Sequence, residues 1–197
     1  RREQSQAATS IGKIYRGKVT RRARVDRGPR SCDREDVSNG FHTLGRTVDL
    51  RHAYLGCTLS SLQLTDVEVL STYEHLQSLD ISGNNLTSLA PLEHLPYLTR
   101  LNASGNKLSD FDLEVPRNAP GEKAWTLGSK HAGSNLIEVD LSDNAIEVLG
   151  AQETHRRLEK FVLDNNRMYE ITGLQNLSRL KVLSMRNNDC LLYTSPS

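Results

Sequence analysis

One pattern of eleven residues returns five times in register along this 197-residue chain. It reads LQSLDISGNNL from Leu76, LTRLNASGNKL from Leu98 and LIEVDLSDNAI from Leu136. It returns as LEKFVLDNNRM from Leu158 and LKVLSMRNNDC from Leu180. Positions 1, 4, 6 and 11 are apolar and position 9 is Asn: Asn84, Asn106, Asn144, Asn166 and Asn188. The starts step by 22, 38, 22 and 22 residues. One step further back lies a degenerate copy at Tyr54, with Cys57, Leu59 and Leu64 in the core positions and Leu62 in place of the Asn. A repeat this short cannot enclose a core alone, so its copies must stack.

The spacing assigns each position a task. Positions 4 and 6 flank one outward residue, which makes a short strand of period 2. At position 9 the chain turns inward, and an Asn amide there satisfies backbone groups of its own coil and its neighbour. Leu89, Leu92 and Leu95, and Ile171, Leu174 and Leu177, close the core from the other side as short helical segments. The expectation is an α/β solenoid: a curved parallel sheet with short helices or 3-10 turns on its convex face. About six repeats fill residues 54–189. The 38-residue step is one repeat plus an insert near Ala119–Ser134 (APGEKAWTLGSKHAGS), read as an ejected loop. Its Trp125 is expected to pack back on the convex face rather than to serve as a binding anchor.

Charge divides the chain. Residues 1–35 carry eleven Lys/Arg against four Asp/Glu, whereas the whole chain holds 25 against 24. A basic arm therefore precedes an acidic body, and the two are expected to meet different partners. Residues 7–25 (AATSIGKIYRGKVTRRARV) resemble the IQ calmodulin-binding motif, IQxxxRGxxxR, at Ile11, Arg16, Gly17 and Arg21. On a helix Ile11, Tyr15 and Val19 align as an apolar stripe among cations. The motif's Gln is replaced by Gly12, which removes a polar anchor and costs a helix about 1 kcal/mol relative to Ala. Residues 1–27 are thus read as an IQ-like basic helix whose partner is calmodulin or a calmodulin-like light chain. Residues 28–53 follow as linker and N-terminal cap, with Gly28-Pro29 ending any helix.

Three widely spaced cysteines fit no metal-ligand or disulfide framework, which reads as reduced and intracellular. No apolar run approaches the roughly 18 residues of a membrane span. The opening Arg1 and the closing CLLYTSPS lead us to expect a fragment. Residues 190–197 break the repeat in mid-register and resemble sequencing-adapter read-through.

The sequence contains no GxxxxGK[ST], HExxH or GxSxG motif. His75, His94 and His155 fall between core positions and are expected at the convex surface. Asp140 and Asp143 belong to one repeat's outward face without an acid–base partner. The reading is a protein without catalytic residues, metal, cofactor or nucleic-acid partner. Binding is assigned instead to the concave face, at positions 3, 5, 7 and 8. Its candidate residues are Asp80, Arg100, Asn102, Glu138, Asp140, Asp143, Lys160, Asp164 and Arg186. An acidic centre suits a basic protein segment, although these are also ordinary solubilising positions.

The repeats resemble the intracellular 22-residue type of phosphatase-regulatory and axonemal leucine-rich-repeat proteins. LTDVEVLSTYEHLQSLDISGNNLTSLAPLEHLPYLTRLNASGNKL is similar to the repeat domains of leucine-rich-repeat and guanylate-kinase proteins and of radial-spoke leucine-rich-repeat proteins. The resemblance implies a cytoplasmic scaffold or adaptor of cilia, axonemes, centrosomes or the cytoskeleton. It also implies two alternatives, the targeting domain of a larger guanylate-kinase-like enzyme and a phosphatase regulatory subunit. Architecture alone does not transfer function.

Overall fold

A computed structural model describes residues 28–47, 49–109, 135–149, 155–171, 174 and 177–189. In chain order its strands are β1 (Arg30–Ser31), β2 (Phe41–Arg46), β3 (His52–Thr58), β4 (Leu64–Asp66), β5 (Ser78–Asp80) and β6 (Arg100–Asn102). They continue with β7 (Glu138–Asp140), β8 (Val148–Leu149), β9 (Lys160–Val162), β10 (Glu170–Ile171) and β11 (Val182–Ser184). A helix, α1 (Arg34–Gly40), lies between β1 and β2, and 3-10 turns occupy Glu68–Thr72 and Ala90–His94.

The main sheet runs β2-β3-β5-β6-β7-β9-β11. Every neighbouring pair is parallel except β2 and β3. Its register follows the repeat: Cys57, Leu79, Leu101, Val139, Phe161 and Leu183 are aligned from strand to strand. The fold is a parallel-sheet solenoid. Position 6 (Leu59, Ile81, Ala103, Leu141, Leu163) and position 11 (Leu64, Leu86, Leu108, Ile146, Met168) form further buried columns. Each fully buried Leu or Ile contributes about 1.5–3 kcal/mol. On the far side Leu70 and Leu92 reach the core from the two 3-10 turns. Pro91 sits in the first turn of the second, where a missing N–H costs nothing.

Across the inserted residues the stack is uninterrupted. β6 pairs directly with β7, Leu101 against Val139. The insert, Trp125, the basic arm and residues 190–197 lie outside the described residues.

His155 departs from expectation. It is buried, at 1% exposure, and its carbonyl accepts from Leu158 N–H at 3.0 Å. Tyr73, Leu95 and Leu177 close the same turn in other coils. His155 therefore stands in an apolar column three residues before position 1, not between core positions. His94 is exposed, and His75 is half-buried and stacked on Tyr97 at 5.8 Å.

Within the stretch read as linker and cap, residues 30–46 carry β1, α1 and β2. Asp33 caps α1 in a reciprocal box with Asp36: each side chain accepts from the other's backbone N–H. Arg30 grips Asp36 with two bonds of 2.5 and 2.6 Å, and β1 pairs with β4 of the first coil. Val37 is buried, and its carbonyl faces Cys57 Sγ at 3.9 Å. Phe41 stacks on Tyr54 at 4.5 Å and meets Tyr73 edge-on at 5.3 Å. Gly40 is required by close approach, because a Cβ there would lie 2.6 Å from the Thr58 carbonyl oxygen. One apolar anchor, Val37, on a seven-residue helix is too little to register as periodicity, which hides this cap from a pattern search.

Candidate protein-binding face

Parallel pairing sorts the outward residues of the sheet into rows. One row runs Gly56, Ser78, Arg100, Glu138, Lys160, Val182, and the next runs Thr58, Asp80, Asn102, Asp140, Val162, Ser184. Backbone bonds Ser61 to Ser82, Gly83 to Ser104, Gly105 to Ser142, Asp143 to Asp164 and Asn165 to Arg186 carry the alignment beyond the strands. All nine candidate residues therefore share one continuous face.

Beneath that face runs the Asn column. The Asn84 amide donates to Leu59 and Ile81 carbonyls at 2.8 Å each, and its oxygen accepts Leu62 and Leu64 N–H at 3.0 and 3.1 Å. Asn106, Asn144, Asn166 and Asn188 repeat the arrangement, each donating to its own and the preceding coil. Their oxygens accept from Leu86, Leu108, Ile146 and Met168 N–H, all at 3.1 Å. The first coil has no Asn of its own, and Asn84 of the second serves it.

Several face residues also have local tasks. Asp80, Asn102 and Asp140 each accept the backbone N–H two residues on, at 3.0–3.1 Å, and so close their own turns. Val162 cannot do this. In that coil Asp164 instead reaches across, accepting Ser184 Oγ at 2.6 Å and Arg186 N–H at 2.7 Å. Those two bonds, led by that from Ser184, hold its carboxyl below the usual carboxylate range. Arg100 and Glu138 pair at 3.4 Å across β6 and β7. Both are exposed enough that the pair is worth only about 0–1 kcal/mol. Lys160, Asp143 and Arg186 stand exposed on the same face.

Among the described residues no group of His, Cys, Asp and Glu is arranged to hold a metal. No helix there is long and apolar enough to cross a membrane. Cys32 and Cys57 are both buried, and burial pushes each thiol up to about 12. Sequence reasoning placed position 8 on the outward face but missed its backbone, since every coil adopts positive φ there: Ser61, Gly83, Gly105, Asp143, Asn165 and Asn187. The signal was present, since Gly, Asn and Asp are the residues that tolerate that conformation.

A family model described as leucine-rich repeats in two copies matches residues 74–115. Leucine-rich repeat-containing protein 23 of Bos taurus is 30% identical over 182 residues, 77% of this chain and 53% of that protein. The leucine-rich repeat and guanylate kinase domain-containing protein of Homo sapiens is 42% identical over 86 residues, 43% of this chain and 10% of that protein. The chain thus spans about half the length of the first relative and a tenth of the second. A solved leucine-rich-repeat protein of Leptospira interrogans superposes with a TM-score of 0.57 at 22% identity, over 71% of this chain and 33% of that one. That likeness concerns the fold alone. Proteins with such repeats generally mediate protein–protein interaction. The repeat register, the Asn column and these matches agree: the chain carries leucine-rich repeats stacked as a parallel-sheet solenoid.

Proposed function

We propose that the chain is a protein-binding scaffold whose sheet face holds an extended basic segment of a partner. The observation that carries this reading is the acidic centre of the face. Glu138 and Asp140 lie on the same strand, and Asp143 follows within the same coil. The flat, small rows of Ser78, Ser82 and Ser104 beside them leave room for a backbone to lie close. A fluorescent peptide alternating Lys and Ser, titrated into the full chain, tests it. Replacing Glu138 and Asp140 by Lys should weaken binding about tenfold or more, because like charge now faces the ligand. Unchanged affinity would remove the sheet face from the proposal.

The arm gives the scaffold a second partner, calmodulin or a calmodulin-like light chain. Support comes from the IQ-like spacing of Ile11, Arg16, Gly17 and Arg21, with Tyr15 and Val19 on the apolar stripe. A peptide of residues 1–27 should bind calcium-loaded calmodulin at micromolar Kd or better, about −8 kcal/mol. Calorimetry without heat, and without rescue by Gly12→Gln, would leave the arm a basic linker. The setting is cytoplasmic, at cilia or the cytoskeleton, supported by the resemblance of the repeats to axonemal proteins. A second reading, the targeting domain of a larger enzyme, is favoured by the likeness to the guanylate-kinase-domain relative. A P-loop followed by an α/β domain in the full-length transcript decides between the two.

A further inference from the structure

The turns that lead into the strands form a surface separate from the sheet face. Each is closed by a bond across three residues: Leu76 N–H to Tyr73, Leu98 to Leu95, Leu158 to His155 and Leu180 to Leu177. The residue just before the donor is His75, Tyr97, Arg157 and Arg179 in turn, and Asn135 holds that place before Leu136. Cross-coil bonds from Ile137 to Thr99, Glu159 to Ile137 and Lys181 to Glu159 lock the coils together at this edge. The five residues therefore stand in a row, one strand spacing of about 4.8 Å apart.

This row changes character along its length. At one end His75 and Tyr97 stack, with Tyr97 40% exposed. At the other end stand Arg156, Arg157, Arg179 and Lys181, all exposed, with Glu159 the acidic residue among them. Glu159 is taken by Lys181 at 2.8 Å. Among the described residues no carboxylate forms an ion pair with Arg156, Arg157 or Arg179, although the charge of Arg179 also acts on Glu159. Asn135 joins the two ends. Its amide donates to the Pro96 carbonyl at 2.8 Å, and its oxygen accepts from Arg157 Nη1 at 2.9 Å. One guanidinium is thus oriented from the turn that carries Tyr97.

We propose that this strand-entry edge docks an acidic segment of a partner protein. Carboxylates meet the planar guanidinium forks of Arg157 and Arg179, and an aromatic or apolar side chain covers the Tyr97–His75 stack. Charge decides the occupant. The cationic stretch covers two coils, about 10 Å, and Glu138, Asp140 and Asp143 crowd the adjacent face. A long polyphosphate would run into that negative charge, whereas a short carboxylate segment fits between. The partner is opposite in charge to the one on the sheet face, so the proposal stands independently of that reading.

The test is fluorescence anisotropy of the full chain with a labelled ten-residue peptide of alternating Glu and Asp carrying one Trp at its amino end. Saturable binding is expected. Arg157→Glu with Arg179→Glu should weaken it about tenfold or more, and Tyr97→Ala by severalfold. Lys107→Glu with Arg167→Glu makes the same change in net charge on exposed residues of the strand-exit side and should leave affinity within about twofold. If the reversed pair fails to give a native melting transition, Arg157→Gln with Arg179→Gln takes its place, since neither side chain is buried. Equal losses in the two pairs would show diffuse electrostatics and overturn the site. So would absence of saturation up to about 1 mM peptide. Tighter binding of single-stranded DNA of equal charge would overturn the assignment to a protein segment.

Discussion

Asn165 donates its side-chain amide to the Asp143 carboxylate across 2.8 Å, from one coil to the coil before it. Both residues hold φ near 55°, and Asn187 donates to the Asn165 oxygen at the same 2.8 Å. A conformational demand and a side-chain contact therefore coincide at one exposed position. The left-handed region is costly for most side chains and worst for branched ones. Asn165→Val should lower unfolding free energy by about 1–2 kcal/mol from the backbone alone. Asn165→Gly loses the rim bonds but keeps the conformation, and should cost less. Urea melts of the two variants compare them directly, and equal losses would mean that the contact dominates, not φ.

The Asn column should be graded. Asn84 is buried and serves two N–H groups of a coil that has no Asn of its own. Asn144 is half-buried, and its oxygen serves Leu108 N–H. Each Asn→Ala leaves unpaired backbone groups and should cost about 1–3 kcal/mol, with Asn84→Ala at the upper end and Asn144→Ala below it. Chemical denaturation reads both. An unchanged melt for Asn144→Ala would show water replacing the side chain there.

Acid should loosen the cap. The Arg30 guanidinium bonded to Asp36 holds that carboxyl below the usual carboxylate range, and Arg30 itself is raised. A carboxyl depressed by folding contributes stability that is complete above its unfolded pKa of about 3.9. That contribution is lost as pH falls through the folded value. Asp36→Asn should therefore lower the urea midpoint at pH 7, and its deficit should narrow as pH approaches about 3. A deficit independent of pH would trace the loss to the helix cap instead.

Removing residues 119–134 should leave the cooperative melt in place. Leu108 N–H already reaches Asn144 at 3.1 Å, and Ala145 N–H reaches the Leu108 carbonyl at 2.9 Å. These contacts join the coils on either side of the insert. Loss of the circular-dichroism transition on deletion would make the insert part of the core.

Periodicity made the repeating part of this fold legible and left the rest obscure. Leu79, Leu101, Val139 and Phe161 could be aligned from spacing alone, because stacked coils must repeat what they bury. The cap has no period: Cys32 and Val37 fill it once, and its decisive contact joins Arg30 to Asp36 without any pattern. His155 escapes the eleven-residue pattern because it lies three residues before position 1, where that pattern assigns no apolar place. Leu95 and Leu177 hold the same place in their coils, and the fold fills it whatever the side chain. On the face, Asp80 and Asp140 were legible as outward, but spacing did not reveal that each also closes a turn through Ser82 or Ser142 N–H.

The antiparallel strand β2 gives the stack a mechanical polarity. β3 is clamped by β2 along one edge and by β5 along the other, while β1 and α1 tie the same coil down from outside the main sheet. Farther along, among the described residues, a coil pairs with neighbours built like itself. Pulled along the axis of the array, such a molecule should behave as a spring with one end welded. Coils would peel away one after another, each giving a similar small step in extension, and the coil beneath the cap would yield last.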